Sequence, residues 1–259
     1  MSTSAGGFDP SLFKELALAE DHHFWFRARN RLIFELTRNL SSQLNPGYFM
    51  LEVGCGTGNV LRAIRQACTG GTVVGLELWF DGLRFAQQRS TGPLVQGDIR
   101  SYPFRKQFEL IGMFDVLEHI PEEAETLRAL HQALTADGRL ILTVPAHQYL
   151  WSYFDEGSQH CRRYSESQIR SRLTEAGFHV EFLSQFMACT FPLVWLWRKT
   201  GNLRKGRSHD ARTLSAAEFR IVPIVNGLLA ALLKIEALWV SRGHTLPIGV
   251  SLIVVARRV

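Results

Sequence analysis

The stretch Phe49-Met50-Leu51-Glu52-Val53-Gly54-Cys55-Gly56-Thr57-Gly58-Asn59 constrains the fold more than any other in the chain. It reads as the end of an apolar strand, an acid, glycines at alternate positions and the start of a helix. Glycine lets the backbone turn more tightly than a Cβ permits and lets a ligand touch the main chain. Apolar spacing predicts the following helix over Val60–Cys68. Its first turn offers unpaired N–H groups and the positive end of a dipole. A strand, a glycine turn and a helix in this order bind a nucleotide-like ligand.

The remaining pattern is α/β. After a predicted helical region over Phe8–Leu40, closed by Asn45-Pro46-Gly47, short apolar runs alternate with helical ones. Strands are predicted at Phe49–Val53, Thr72–Leu76, Leu94–Gln96, Phe108–Phe114, Arg139–Val144, from His179 and at Val250–Ala256. Helices are predicted at Asp81–Arg89, at Glu122–Leu134 and at Ser165–Ala176, the last capped by Ser165 and ended by Gly177. Such alternation implies a mainly parallel sheet with helices on both faces and a ligand at the carboxyl ends of the strands.

The loop spacing narrows the ligand. A dinucleotide fingerprint reads G-x-G-x-x-G and seats a pyrophosphate. Here the glycines fall as G-x-G-x-G, with Glu52 two residues before the first. A carboxylate there repels a pyrophosphate and attracts an ammonium group. The pattern E-x-G-x-G-x-G resembles motif I of the class I, Rossmann-like methyltransferases that use S-adenosylmethionine (SAM), a donor with an α-ammonium, a sulfonium and no phosphate. The resemblance extends from Phe49 through Phe182 and points to the type 11/12 small-molecule methyltransferases. It implies a three-layer sandwich with strand order 3-2-1-4-5-7-6 and an antiparallel seventh strand.

It also implies a cofactor site. Glu52, Gly54, Cys55, Gly56 and Gly58 would form the loop. Glu77, followed by Leu78, would accept both ribose hydroxyls. Asp98 and the Ile99 backbone would read adenine, and Phe114 would lie beside the methionine portion. Arg29 and Trp25 would close the site from the N-terminal helix, the first on the SAM carboxylate and the second on the sulfonium. S-adenosylhomocysteine (SAH) would be the product.

Two stretches are candidates for the chemistry. Asp115-Val116-Leu117-Glu118-His119-Ile120 resembles the acid-V-x-E-H of ubiquinone-pathway O-methyltransferases, in some of which residues here take part in metal binding. His119 is a candidate base, and fixing the loop is its alternative role. Pro145–Trp151, Asp155 and His160-Cys161-Arg162-Arg163-Tyr164 resemble a bacterial subgroup, with His160 and Tyr164 as further catalytic candidates. Its arginines either hold an anionic acceptor or pair with Asp155 and Glu156. No metal site is expected: the four cysteines, Cys55, Cys68, Cys161 and Cys189, are scattered. That scatter fits a reducing, cytoplasmic compartment, and Met1–Pro10 shows no signal-peptide pattern.

The expected layout is one methyltransferase domain: a helical cap at about 8–44, a core at 48–185 and 247–259, and an apolar helical insertion at about 186–246. The insertion holds Phe191–Trp197, a basic linker (Arg198, Lys199, Arg204, Lys205, Arg207) and a long helix over Ala216–Val240. A lid, a homodimer interface and a peripheral contact with the inner membrane face are all open roles. The expected acceptor is a small or lipid-linked molecule methylated at oxygen. No nucleic-acid partner is expected, because the net charge of +5 comes with no RNA-binding module. The alternatives are an RNA or protein methyltransferase and a catalytically inactive SAM-binding partner subunit.

Overall fold

A seven-stranded sheet runs through the protein in the order β3-β2-β1-β4-β5-β7-β6. The computed structural model describes residues 8–204 and 223–259. The strands are β1 (Phe49–Val53), β2 (Thr72–Glu77), β3 (Leu94–Gln96), β4 (Phe108–Phe114), β5 (Leu134–Pro145), β6 (Phe178–Phe186) and β7 (Ser251–Arg258). β7 is antiparallel to both β5 and β6, and the other pairings are parallel. This is the Rossmann-like order that the resemblance implied.

The helices are α1 (Phe13–Ala19), α2 (Phe24–Ser41), α3 (Asn59–Ala67), α4 (Phe80–Arg89), α5 (Glu123–Ala133), α6 (Tyr153–Gly157), α7 (Glu166–Glu175), α8 (Phe191–Arg204) and α9 (Pro223–Ser241). Central strands buried on both faces read as unbroken apolar runs. Side-chain alternation then divides each run between two cores. Leu51, Ile111 and Leu142 face Leu127 and Leu130 of α5 and Ile169 and Leu173 of α7. Met50, Leu110 and Ile141 face Leu32 and Ile33 of α2, Leu61 and Ile64 of α3, and Leu233 and Val240 of α9. Each such Leu or Ile stabilises the fold by about 2 kcal/mol relative to exposure.

Three boundaries differ from the sequence reading. The N-terminal helical region is broken between α1 and α2, where His23 is extended and its Nδ1 accepts from the Trp25 N–H at 3.3 Å. β5 begins at Leu134, because that residue pairs with Phe108 ahead of Asp137-Gly138. The basic stretch is no linker at Arg198, Lys199 and Arg204, which belong to α8. Lys205, Arg207 and positions 216–222 of the predicted long helix lie outside the described residues. The Ser165 cap of α7 is present as a reciprocal pair with Gln168, and Gly177 follows the helix with a positive φ.

Gly58 caps α3 with φ +79°, and a Cβ there would lie 2.7 Å from Ala86 Cα on α4. Gly243 has φ +89° and nothing within 4 Å of its would-be Cβ. Gly58→Ala is expected to cost about 2–4 kcal/mol, conformational strain plus overpacking. Gly243→Ala carries the strain alone and should cost about 1 kcal/mol. Urea unfolding of both variants measures the difference; equal losses would contradict the packing role of Gly58.

Candidate active site

The glycine turn is built by its hydrogen bonds. Gly54 (φ +71°) and Cys55 both donate their backbone N–H to the Leu76 carbonyl, at 2.8 and 3.0 Å. That ties the turn to the neighbouring strand. Glu77, at the end of β2, accepts from the Gly56 N–H at 2.8 Å and from the Trp79 N–H at 2.9 Å. Burial raises the Glu77 pKa, and these two donors pull it back. At Gly56 (φ +50°) an added Cβ would meet only Phe13 Cε1, at 3.6 Å. Its face therefore opens into a cavity.

That cavity holds about 1040 Å³ and sits at the carboxyl ends of β1, β2 and β4. Glu52, Gly54, Cys55 and Gly56 line it from the turn. Glu77, Leu78, Asp98, Ile99 and Phe114 line it from the next strand ends, with Trp25 and Arg29 on the α2 side. Gly58 does not line it and acts through the α3–α4 contact instead. Asp98 is already held by Arg100, whose Nη2 lies 2.7 Å away and whose backbone N–H lies at 2.9 Å. Burial alone would raise the Asp98 pKa, but the arginine outweighs it and the carboxyl stays ionised. A ligand amino group there would share Asp98 with Arg100.

Arg29 and Trp25 line the cavity with a different division of labour from the expected one. Arg29 Nη1 pairs with Asp115 Oδ2 at 2.7 Å, and its guanidinium lies over the Trp25 ring at 4.8 Å. Asp115 holds the left-handed conformation, φ +53°, just past β4. The arginine thus braces the loop after β4, and its charge is shared before any ligand arrives.

Glu52 shows best whether the residues fit SAM. Its side chain is 2% exposed, and Oε2 has no hydrogen-bond partner among the described residues. Burial pushes its pKa well up, opposed by Arg29 and Arg65. A buried orphan acceptor is costly. An ammonium group in the cavity would satisfy it, and a phosphate would not. The donor set therefore fits SAM.

Beyond the loop, His119 and His160 both line the cavity, with ring centroids 4.7 Å apart. Burial, and then the neighbouring His160, push the His119 pKa down to about 3. His160 Nδ1 lies 2.9 Å from Asp155 Oδ1. Asp155 is fully buried in α6 and also accepts from Arg163 Nε at 2.7 Å. Burial would raise the Asp155 pKa, but the His160 hydrogen bond and the arginine charges hold it at about 2. Arg163 thus pairs with Asp155, and Arg162 binds the Ile120 carbonyl and Glu123. Of the two roles left open for these arginines, the structure realises loop ordering.

Tyr164 is not part of the cavity wall. It is buried, and its hydroxyl donates to Glu123 of α5 at 2.8 Å. Burial and the Glu123 charge drive its pKa strongly upward, so the structure takes it out of the candidate base set. His147 also lies off the wall, 2.7 Å from Gln185. Glu118, His119 and His160 each bring one ligand atom within 4.8 Å of the others, and a divalent cation could be held there. Sequence reasoning expected no metal site, and it missed this grouping because His160 comes from a separate loop. It also missed Phe8 and Phe13, which cover the turn and His119, and Arg198 of α8, which lines the cavity 3.9 Å from Asp155.

Comparison with known proteins agrees with this geometry. The model of the methyltransferase domain matches residues 24–182, more than half of the chain. The chain belongs to the methyltransferase family. Its fold is that of the class I SAM-dependent enzymes, and SAM is the family's cofactor. It is similar to the ubiquinone biosynthesis O-methyltransferase of Pseudomonas aeruginosa, with 24% identity over 155 residues, 52% of this chain and 66% of that one. It is also similar to the magnesium-protoporphyrin O-methyltransferase of Synechocystis, with 28% identity over 150 residues, 52% of this chain and 64% of that one. The matched stretches thus span less than two thirds of either relative. The Synechocystis magnesium protoporphyrin IX methyltransferase, solved with bound SAH, superposes with a TM-score of 0.53 at 17% identity, covering 90% of this chain and 84% of that one.

A raised folded-state pKa means that stability is fully present below the ordinary carboxylate range and is lost as pH rises. Glu52 should therefore destabilise the ligand-free protein increasingly as pH rises above the ordinary carboxylate range. Glu52→Gln should gain on the wild type in unfolding free energy over that rise. The same variant should bind SAM about 10–100-fold more weakly, the loss of one hydrogen bond to a charged group. SAM binding to the wild type should release protons, because an ammonium partner lowers the Glu52 pKa. Calorimetry in buffers of different ionisation heat measures that release, and a buffer-independent enthalpy would contradict the assignment.

Proposed function

We propose that this methyltransferase moves a methyl group from SAM to an oxygen of a small or lipid-linked acceptor. The observation that carries the reading is His160 on the cavity wall beyond the glycine turn, held from behind by the buried Asp155. SAM supplies a methyl group already activated by the sulfonium, so the protein needs no covalent catalysis. Glu52 and Gly56 position the donor. Asp155 holds the Nδ1–H of His160, which leaves Nε2 as the proton acceptor for a hydroxyl. Phe8, Phe13 and the α8 side chains restrict water. Ionised Asp155 favours the orientation and tautomer of His160, as the acid does in other acid–histidine pairs. The names of the two O-methyltransferases above support oxygen as the methylated atom.

His160→Ala is expected to lower kcat about 100-fold or more while leaving SAH affinity within about threefold. The assay uses methyl-labelled SAM against aqueous and chloroform-soluble metabolite extracts. Undiminished turnover by the variant would remove His160 from the chemistry, and a product labelled at nitrogen would refute the oxygen assignment. Gly56→Val should retain the circular dichroism of the wild type and lose SAH binding, because its side chain would occupy the donor pocket. Wild-type affinity in that variant would refute the placement of the donor.

A further inference from the structure

The helices α8 and α9 carry an apolar surface that the fold does not bury. On α9 the residues Ile224, Leu228, Leu232, Ile235 and Trp239 recur at intervals of four, four, three and four, which places them on one face. Ile224 is 87% exposed and Ile235 68%. On α8, Leu193, Leu196 and Trp197 fall at helical spacing and are also more than half exposed. A contiguous patch of this kind marks a contact surface.

This surface is continuous with the candidate active site. Leu193, Leu196 and Trp197 of α8 and Val225 of α9 belong both to the exposed face and to the cavity wall. The mouth of the cavity is therefore apolar on the side where the acceptor would enter. Charge accompanies it. Lys199 lies over the Trp195 ring at 5.0 Å, and His244 stacks on Trp239 at 4.0 Å. Between positions 199 and 220 the sequence carries Lys199, Arg204, Lys205, Arg207, Arg212 and Arg220 against Asp210 and Glu218.

The helix α9 is long and apolar enough to cross a membrane. Its other contacts hold it along the protein. Leu233, Ala237 and Val240 are buried on the core shared with α2. Asn226 accepts from the Phe24 N–H at 2.7 Å and donates to the His22 carbonyl at 2.9 Å. The Glu236 carboxylate accepts from the backbone N–H groups of Met187 and, at 3.0 Å, of Ala188. A helix that keeps these contacts cannot span a bilayer, but its outer face can lie in the interface. Tryptophan and basic side chains are the residues that settle there.

We propose that α8 and α9 dock the protein on an anionic lipid bilayer, with the cavity mouth facing the lipid. The docking surface stands on the exposed face alone. The entry of a lipid-linked acceptor through that mouth rests on the function proposed above. An anionic surface matches the basic stretch, and the apolar stripe supplies the insertion energy.

Sedimentation with vesicles of phosphatidylcholine containing one-third phosphatidylglycerol tests this, together with quenching of tryptophan fluorescence by brominated lipid. The wild type should co-sediment at low salt, bind less at high salt and be quenched. The double variant Leu228→Glu/Ile235→Glu should need about tenfold more lipid or fail to bind. SAH calorimetry serves as its fold control. If the double variant loses SAH binding, the single substitution Ile235→Glu takes its place, with the same loss of lipid binding expected. A wild type that stays in the supernatant, or a folded variant that binds equally, would overturn the docking. So would a dimer in sedimentation velocity that the double variant dissociates, since a second copy would then cover the face. SAH binding is independent of lipid, so a failure here leaves the methyl-donor reading standing.

Discussion

A buried carboxylate with one oxygen lacking a hydrogen-bond partner among the described residues is the constraint around which this candidate site is organised. Glu52 stands at the end of β1, almost fully shielded, with Oε2 unmatched. The glycines beside it accept left-handed backbone so that the turn can hook onto Leu76, and Glu77 binds the Gly56 N–H. The unliganded protein bears the cost of the unmatched oxygen because a cation recovers it. The same feature separates this turn from a dinucleotide turn, where a phosphate would face two acids at once.

The residues that line the cavity at the glycine turn and the strand ends were legible in the sequence because they are local. Glu52, Gly54 and Gly56 act within one turn, while Glu77 and Asp98 follow strand ends that apolar runs announce. The strand order was legible through the family resemblance, and the apolar runs located the strands themselves. What the sequence could not show were pairings with distant partners. Arg29 lines the cavity as expected but pairs with Asp115, 86 positions away, and Arg198 is a helical residue at the cavity. Tyr164 looked like a site residue by its neighbours, yet Glu123, 41 positions away, draws it to the other side of its loop. Periodicity does not report such long-range pairing.

The cavity wall around His160 depends on one buried ion cluster. Asp155 receives His160, Arg163 and, more distantly, Arg198. Removing a single partner from such a cluster leaves an uncompensated charge. The cluster fixes α6, the loop that follows it and α8 in one arrangement. It therefore sets the position of His160 and the shape of the cavity mouth together. Two packing roles coincide here: the residue that holds His160 also pairs with Arg198 of the insertion.

That coincidence explains why the insertion departs from the core pattern. A helix needed only for stability would bury its apolar residues, and α9 already achieves this with Leu233, Ala237 and Val240. The stripe from Ile224 to Trp239 leaves much of its apolar surface in solvent and raises the risk of aggregation. It is retained on the helix whose first turn, at Val225, also forms part of the cavity wall. An apolar exterior next to an apolar entrance favours an acceptor that arrives from an apolar phase. Glu52, Glu77 and Asp98 line the same cavity at the carboxyl ends of β1, β2 and β3.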